Sequence, residues 1–236
     1  MDHNAAADAS RIRWAAVAGT VAPIWFWVTL TALALLHGTI DVSGHQLLRY
    51  GLLMYIGFFA YGSLTLVFVS GLRRRIPRSR VSRAALVALT LFGCGPLLGT
   101  FTMGVEQGPP QSWHAALHIA GFLIVSLIPL VALPLFGRAV WKDSRWGRFG
   151  PISVVWAVVV AVVVFLPSSP AEGYPLWSGP GSMADIALIG IWQIVVARRL
   201  ASLATQPAIA EQTADARSAE NALGKDFSTA REVSEG

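Results

Sequence analysis

Outside the basic loops and the two terminal segments, the histidines, carboxylates and arginines of this chain reduce to nine residues. They are His37, Asp41, His45, Arg49, Glu106, His114, His118, Glu172 and Asp185. His114 and His118 are four apart, so on a helix they share a face. Two neutral imidazoles so placed can hold one metal ion. His37, Asp41 and His45 repeat the four-residue spacing, although Gly38 and Gly44 interrupt a continuous helix there. If these loops converge, two or three histidines and a carboxylate suit zinc with an open position. Zinc-bound water is a nucleophile at neutral pH, which is hydrolase chemistry. The His114/His118 pair lacks the glutamate of a His-Glu-x-x-His signature, and no phosphate loop, nucleophile elbow or Cys-His haem signature appears. The unreactive reading treats the same histidines as polar interface residues and Asp41 and Glu106 as solvated carboxylates. Asp185 then sits in a first helical turn, where the helix dipole favours it. His118, a turn inside an apolar run, needs a partner or a cavity on either reading.

The elements that position these residues are set by composition. The chain is 54% hydrophobic and 13% charged, roughly half the charge of an average soluble domain at about 25%. Its mean hydropathy is +0.57. The charges lie between long apolar runs, so the solvent for most of the chain is lipid. Runs long enough to cross the hydrocarbon fall near Trp14–Leu36, Tyr50–Leu72, Ser82–Met103, Trp113–Phe136, Pro151–Pro167 and Ser182–Leu200. The fifth is short and valine-rich, but a lone strand cannot satisfy its backbone in lipid, so a helix is expected. The fold class is an all-α bundle of six transmembrane helices. Residues 1–13 form a cytoplasmic N-terminal segment, 14–201 the membrane domain, and 202–236 a disordered cytoplasmic tail rich in Ala, Glu, Asp, Ser and Thr. The first ten residues are likewise expected to lack structure.

Loop charge orients the bundle. Arg11 and Arg13, Arg73 to Arg83, Arg138 to Arg148, and Arg198 with Arg199 fall on one side, against Arg49 alone on the other. Positive residues stay in the cytoplasm, so both termini are expected inside, and the nine residues near the outer face. Trp14, Trp141 and Trp146 mark the inner boundary and Tyr50, Trp113, Tyr174 and Trp177 the outer one. The first span reads as a signal anchor: Ala32-Leu33-Ala34 has a small-x-small form, but the run is too long for a signal core and carries Trp25 and Trp27. The formal net charge of +5 does not point to nucleic acid, because the basic residues already have a topological role. The single cysteine, Cys94, is expected to be a small buried hydrophobe. Gly95 and Gly99 share a face that lets a neighbouring helix approach, and Pro96 is expected to bend the helix there. The Arg73–Arg83 loop could also meet anionic headgroups.

The segment from Gly99 to Leu200 resembles a bacterial integral membrane family catalogued as domain of unknown function 998. The resemblance rests on Gly99-Thr100-Phe101-Thr102-Met103-Gly104, on Trp113-His114-Ala115-Ala116-Leu117-His118, and on Gly181 to Trp192. It implies a six-span fold and gives the His114/His118 pair weight, and it carries no established function. Gly104 stands where an aspartate is expected and Asp185 where an arginine is common. The resulting expectation is a multi-pass membrane protein surrounded by lipid that handles a lipid or small solute in an outer polar cavity. That cavity would be built from His37, Asp41, His45, Arg49, Glu106 and Asp185. The alternative is a zinc-dependent membrane hydrolase using His114 and His118. A secondary transporter ranks third, because the membrane midplane carries few charges and no inverted repeat is visible.

Overall fold

A backbone entering hydrocarbon must satisfy its own N–H and C=O groups, and an apolar run of about 20 residues does so as a helix. The computed structural model describes residues 3–37, 51–101, 112–165 and 183–205. It has helices α1 (His3–His37), α2 (Gly51–Arg75), α3 (Arg80–Leu98), α4 (Trp113–Val140) and α5 (Phe149–Phe165), and α6 (Met183–Thr205). The described residues contain no strand. All but α5 are long and apolar enough to cross a membrane; α5 is apolar throughout but has 17 residues. The outer surface is apolar as well: Leu35 is 82% exposed and Phe165 69%. A soluble globule does not display so much large apolar side chain, and the chain is a multi-pass membrane protein.

Helices adjacent in sequence pack against one another from α1 to α5. α6 closes the bundle by meeting α1, α2 and α5. Pro23 of α1 lies against Gly190, and Leu200 against Gly71 of α2. From α5, Trp156 donates Nε1–H to the Leu188 carbonyl at 2.8 Å. In return Trp192 donates Nε1–H to Ser153 Oγ at 3.0 Å. The buried side chains form two clusters. One gathers Phe136, Trp146 and Trp192 toward the arginine-rich end. The other gathers Phe26, Met54 and Tyr61 toward the opposite, histidine-bearing end.

Glycine sets a close approach between α3 and α4. A Cβ on Gly121 would lie 2.7 Å from the Gly95 carbonyl oxygen and 2.8 Å from the Gly99 nitrogen. Backbone meets backbone here, so the neighbour cannot turn aside. The small-residue face expected from Gly95 and Gly99 is therefore used as a helix contact.

Several boundaries differ from the sequence expectation. α6 runs on to Thr205, so residues 202–205, expected to begin a disordered tail, are helical, with Leu203 and Ala204 buried. α1 starts at His3, within residues expected to lack structure. Ala5, Ala6, Ala7 and Ala9 favour helix, Ile12 is fully buried, and Asp8 pairs with Arg74 of α2 at 2.7 Å. α3 stops at Leu98, where a span to Met103 was expected, and the chain turns over from Gly99 to Phe101. That turn is tightened by Thr100 N–H to Leu97 O at 3.3 Å and Phe101 N–H to Leu98 O at 3.1 Å. α4 runs on to Val140 with Pro129 and Pro134 inside it. At the arginine-rich end, Gly147 takes a left-handed φ of 53° in the α4–α5 loop. Trp146, fully buried, donates Nε1–H to the Arg75 carbonyl at 3.3 Å and so ties that loop to α2. The Arg145 guanidinium, hydrogen-bonded to Asp143, holds its carboxyl below the usual carboxylate range.

The glycine contacts differ in what an added methyl would strike. Gly121→Ala is expected to cost about 1–3 kcal/mol through backbone overlap with α3. Gly57→Ala, whose Cβ would meet only the Thr29 side chain at 3.3 Å, is expected to unfold within about a degree of the parent. Thermal unfolding of both variants in detergent checks this; equal transition temperatures would mean that the α3–α4 contact can slide.

Candidate functional site

Ser112 caps α4, its Oγ accepting the Ala115 N–H at 3.1 Å. This cap fixes the register of the two histidines that follow. One turn of helix separates them, and they occupy different surroundings. His114 is exposed and stacks on the Trp113 indole with ring centroids 3.6 Å apart. His118 is fully buried. Its Nδ1 lies 2.6 Å from the Phe101 carbonyl oxygen. A carbonyl can only accept, so Nδ1 carries the proton, and in the neutral imidazole Nε2 is an acceptor. The early end of α3 makes this contact possible, because the Gly99–Phe101 turn brings the carbonyl back over the bundle.

Phe58 and Phe122 flank the His118 ring, edge-on at 6.4 Å and tilted at 5.1 Å between centroids. Both also line a cavity of about 20 Å³, together with Phe26, Tyr61, Val125 and Ile186. That volume admits roughly one water-sized group. Tyr61 is buried, and its hydroxyl has no hydrogen-bond partner among the described residues. Asp185, in the first turn of α6, is fully buried; its Oδ1 accepts the Ile186 N–H at 2.8 Å. Of these polar residues Tyr61 lines the aromatic cavity, while His118 packs behind Phe58 and Phe122 and Asp185 precedes Ile186, which are among its walls.

A second pair continues this polar line toward the arginine-rich end. Thr65 lies one turn beyond Tyr61 on α2, and Gln193 two turns beyond Asp185 on α6. Gln193 Nε2 donates to Thr65 Oγ1 at 3.2 Å, both residues being buried. Its Oε1 has no hydrogen-bond partner among the described residues.

Of the residues singled out from the sequence, His118 and Asp185 are buried next to residues that line this cavity without lining it themselves, and His114 is exposed. His37 ends α1 and is half-buried. Asp41, His45, Arg49, Glu106 and Glu172 lie outside the described residues. Among the described residues no three His, Cys, Asp or Glu side chains cluster closely enough to hold a metal. Tyr61, Thr65 and Gln193 were not singled out, because the search weighed ionisable groups alone. Their signal was present in the four-residue spacing of Tyr61 and Thr65, and in a glutamine amid the apolar residues of the last span.

A family model described as protein of unknown function (DUF998) matches residues 20–199, well over half of the chain. The chain belongs to the DUF998 family. No curated protein and no solved structure matches it significantly. The match takes in all the polar positions above, from His37 to Gln193, and confirms the family resemblance read from the segments around Phe101, His114 and Asp185. In this DUF998 chain the cross-helix pair Thr65–Gln193 is the part of the site that can be tested by stability alone. Thr65→Val removes the amide's partner and is expected to cost about 1 kcal/mol. Thr65→Val with Gln193→Leu removes both polar groups and is expected to recover most of that loss. A double-mutant cycle of unfolding in detergent measures the coupling, and additive effects would refute the pairing.

Proposed function

We propose that this DUF998 protein binds a small amphipathic molecule, a lipid or a small solute, in the half of the bundle away from the arginine-rich loops. The observation that carries this reading is Tyr61, which lines an aromatic cavity and whose buried hydroxyl has no hydrogen-bond partner among the described residues. A buried polar group left unsatisfied costs about 1–3 kcal/mol, and within lipid there is no bulk water to relieve it. A ligand group at that point removes the cost. The ~20 Å³ space takes only a ligand's polar tip, such as a hydroxyl or an amine. Tyr61 offers that tip a hydroxyl partner. Phe26, Phe58 and Phe122 supply the apolar wall. By the positive-inside rule the arginine-rich end is cytoplasmic, so this ligand would come from the outer leaflet or the outer aqueous side.

A second reading has one specific observation in its favour. A backbone carbonyl on Nδ1–H is the arrangement that orients a metal-binding imidazole, leaving Nε2 as ligand. Zinc on His118, with His114 turned away from Trp113 to join it and an outer carboxylate completing the set, would make the site a hydrolase.

Mass spectrometry of small molecules extracted from detergent-purified protein tests the first reading. A co-purifying species is expected, reduced about tenfold in Tyr61→Phe at equal protein recovery. Equal amounts in Tyr61→Phe and Asp185→Asn would sink the idea. For the second reading, metal analysis after growth with added zinc is expected to give close to one zinc per chain, lost in the His114→Ala/His118→Ala double variant. Zinc below a tenth of an equivalent in the parent, by the same analysis, would retire it.

A further inference from the structure

At the opposite end of the bundle, the turn between α2 and α3 encloses a groove of about 830 Å³, a volume typical of ligand sites. Its charged wall is arginine: Arg73, Arg74, Arg78, Arg80 and Arg83 all line it. Asp8 and Asp143 are the carboxylates among the described residues at this end. Asp8 is taken by Arg74 and Asp143 by Arg145. Arg73, Arg78, Arg80 and Arg83 are exposed and form no salt bridge among the described residues. The groove also holds the start of α3, whose first turn carries no acidic residue. That helix end presents the positive pole of its dipole, to which an anion is complementary.

Charge alone would fit any anion, and the remaining wall narrows the choice. Ser70, Ser79 and Ser82, with Ile76, Pro77 and Leu86, complete the lining. One turn further along the same faces come Val67, 44% exposed, and exposed Thr90, with Val87 at 60% beside them. The groove therefore opens sideways onto the apolar, lipid-facing flank of α2 and α3. A soluble phosphate has no use for that flank, whereas acyl chains extend along it from a headgroup held by the guanidinia.

We propose that the α2–α3 turn is a binding site for the phosphate of an anionic membrane lipid, held by Arg78, Arg80 and Arg83 with its chains against Val67 and Val87. Guanidinium suits this role because its fork meets two phosphate oxygens at once.

The test is native mass spectrometry of the full chain in detergent with added phosphatidylglycerol or phosphatidylcholine. An Arg78→Gln/Arg80→Gln/Arg83→Gln variant is compared with Arg138→Gln/Lys142→Gln/Arg148→Gln. The second removes the same charge from the same end but outside the groove, so it controls for bulk electrostatics and insertion. Phosphatidylglycerol is expected to bind the parent at least about tenfold tighter than phosphatidylcholine, with that preference lost in the groove variant and kept in the control. Equal loss in both variants, or in neither, would overturn the proposal. Displacement of the lipid by millimolar inorganic phosphate would also overturn it and assign the groove to a soluble phosphate compound. If the groove variant fails to purify, Arg78→Lys/Arg80→Lys/Arg83→Lys keeps the charge and must still weaken the lipid preference severalfold.

Discussion

Hydrocarbon offers no hydrogen bonds and little reason for apolar helices to leave it for one another, and the remaining features of this bundle answer that constraint. Cohesion has to come from close packing and from polar contacts between helices. Both are present where the helices cross. Gly95 and Gly121 let two backbones meet almost at contact. Trp156 to the Leu188 carbonyl, Trp192 to Ser153 and Gln193 to Thr65 bridge α5 to α6 and α6 to α2. Each tryptophan adds a large buried surface to a single directed N–H, so it fixes the register of its helix as well as filling space. α6 needs two of these anchors because it alone closes the ring.

Hydropathy made the spans legible, since a run of twenty apolar residues has few alternatives in lipid. Boundaries were harder, because they depend on tertiary contacts. The alanines before Arg11 read as tail, but Ile12 and the Asp8–Arg74 pair give the first turns something to hold. Thr102 and Met103 extend an apolar run on paper, whereas α3 ends at Leu98 and its carbonyls are met by Thr100 and Phe101.

The candidate site was half legible for a related reason. Ionisable residues are conspicuous in an apolar sequence, and His118 and Asp185 were found that way. Spacing suggested that His114 and His118 act together; the helix carries one outward, onto Trp113, and the other inward. A four-residue step leaves side chains adjacent without giving them the same surroundings, especially at a helix end. Tyr61, Thr65 and Gln193 escaped notice because hydroxyl and amide groups are common in spans and become informative only when burial and partners are known.

The buried polar groups are unevenly resolved, and the unevenness separates packing from binding. Ser153 receives the Trp192 N–H and returns its own proton to the Phe149 carbonyl, so it is satisfied by the fold itself. Thr65 meets Gln193, and half of that amide is satisfied. Tyr61, which lines the cavity, stands a turn further from the arginine-rich end, and its hydroxyl is unmet among the described residues. If packing were the whole requirement, phenylalanine would serve as well at that position without the desolvation cost. On one face of α2 the Thr65 hydroxyl is thus met by Gln193 of α6, whereas the Tyr61 hydroxyl one turn away has no partner among the described residues.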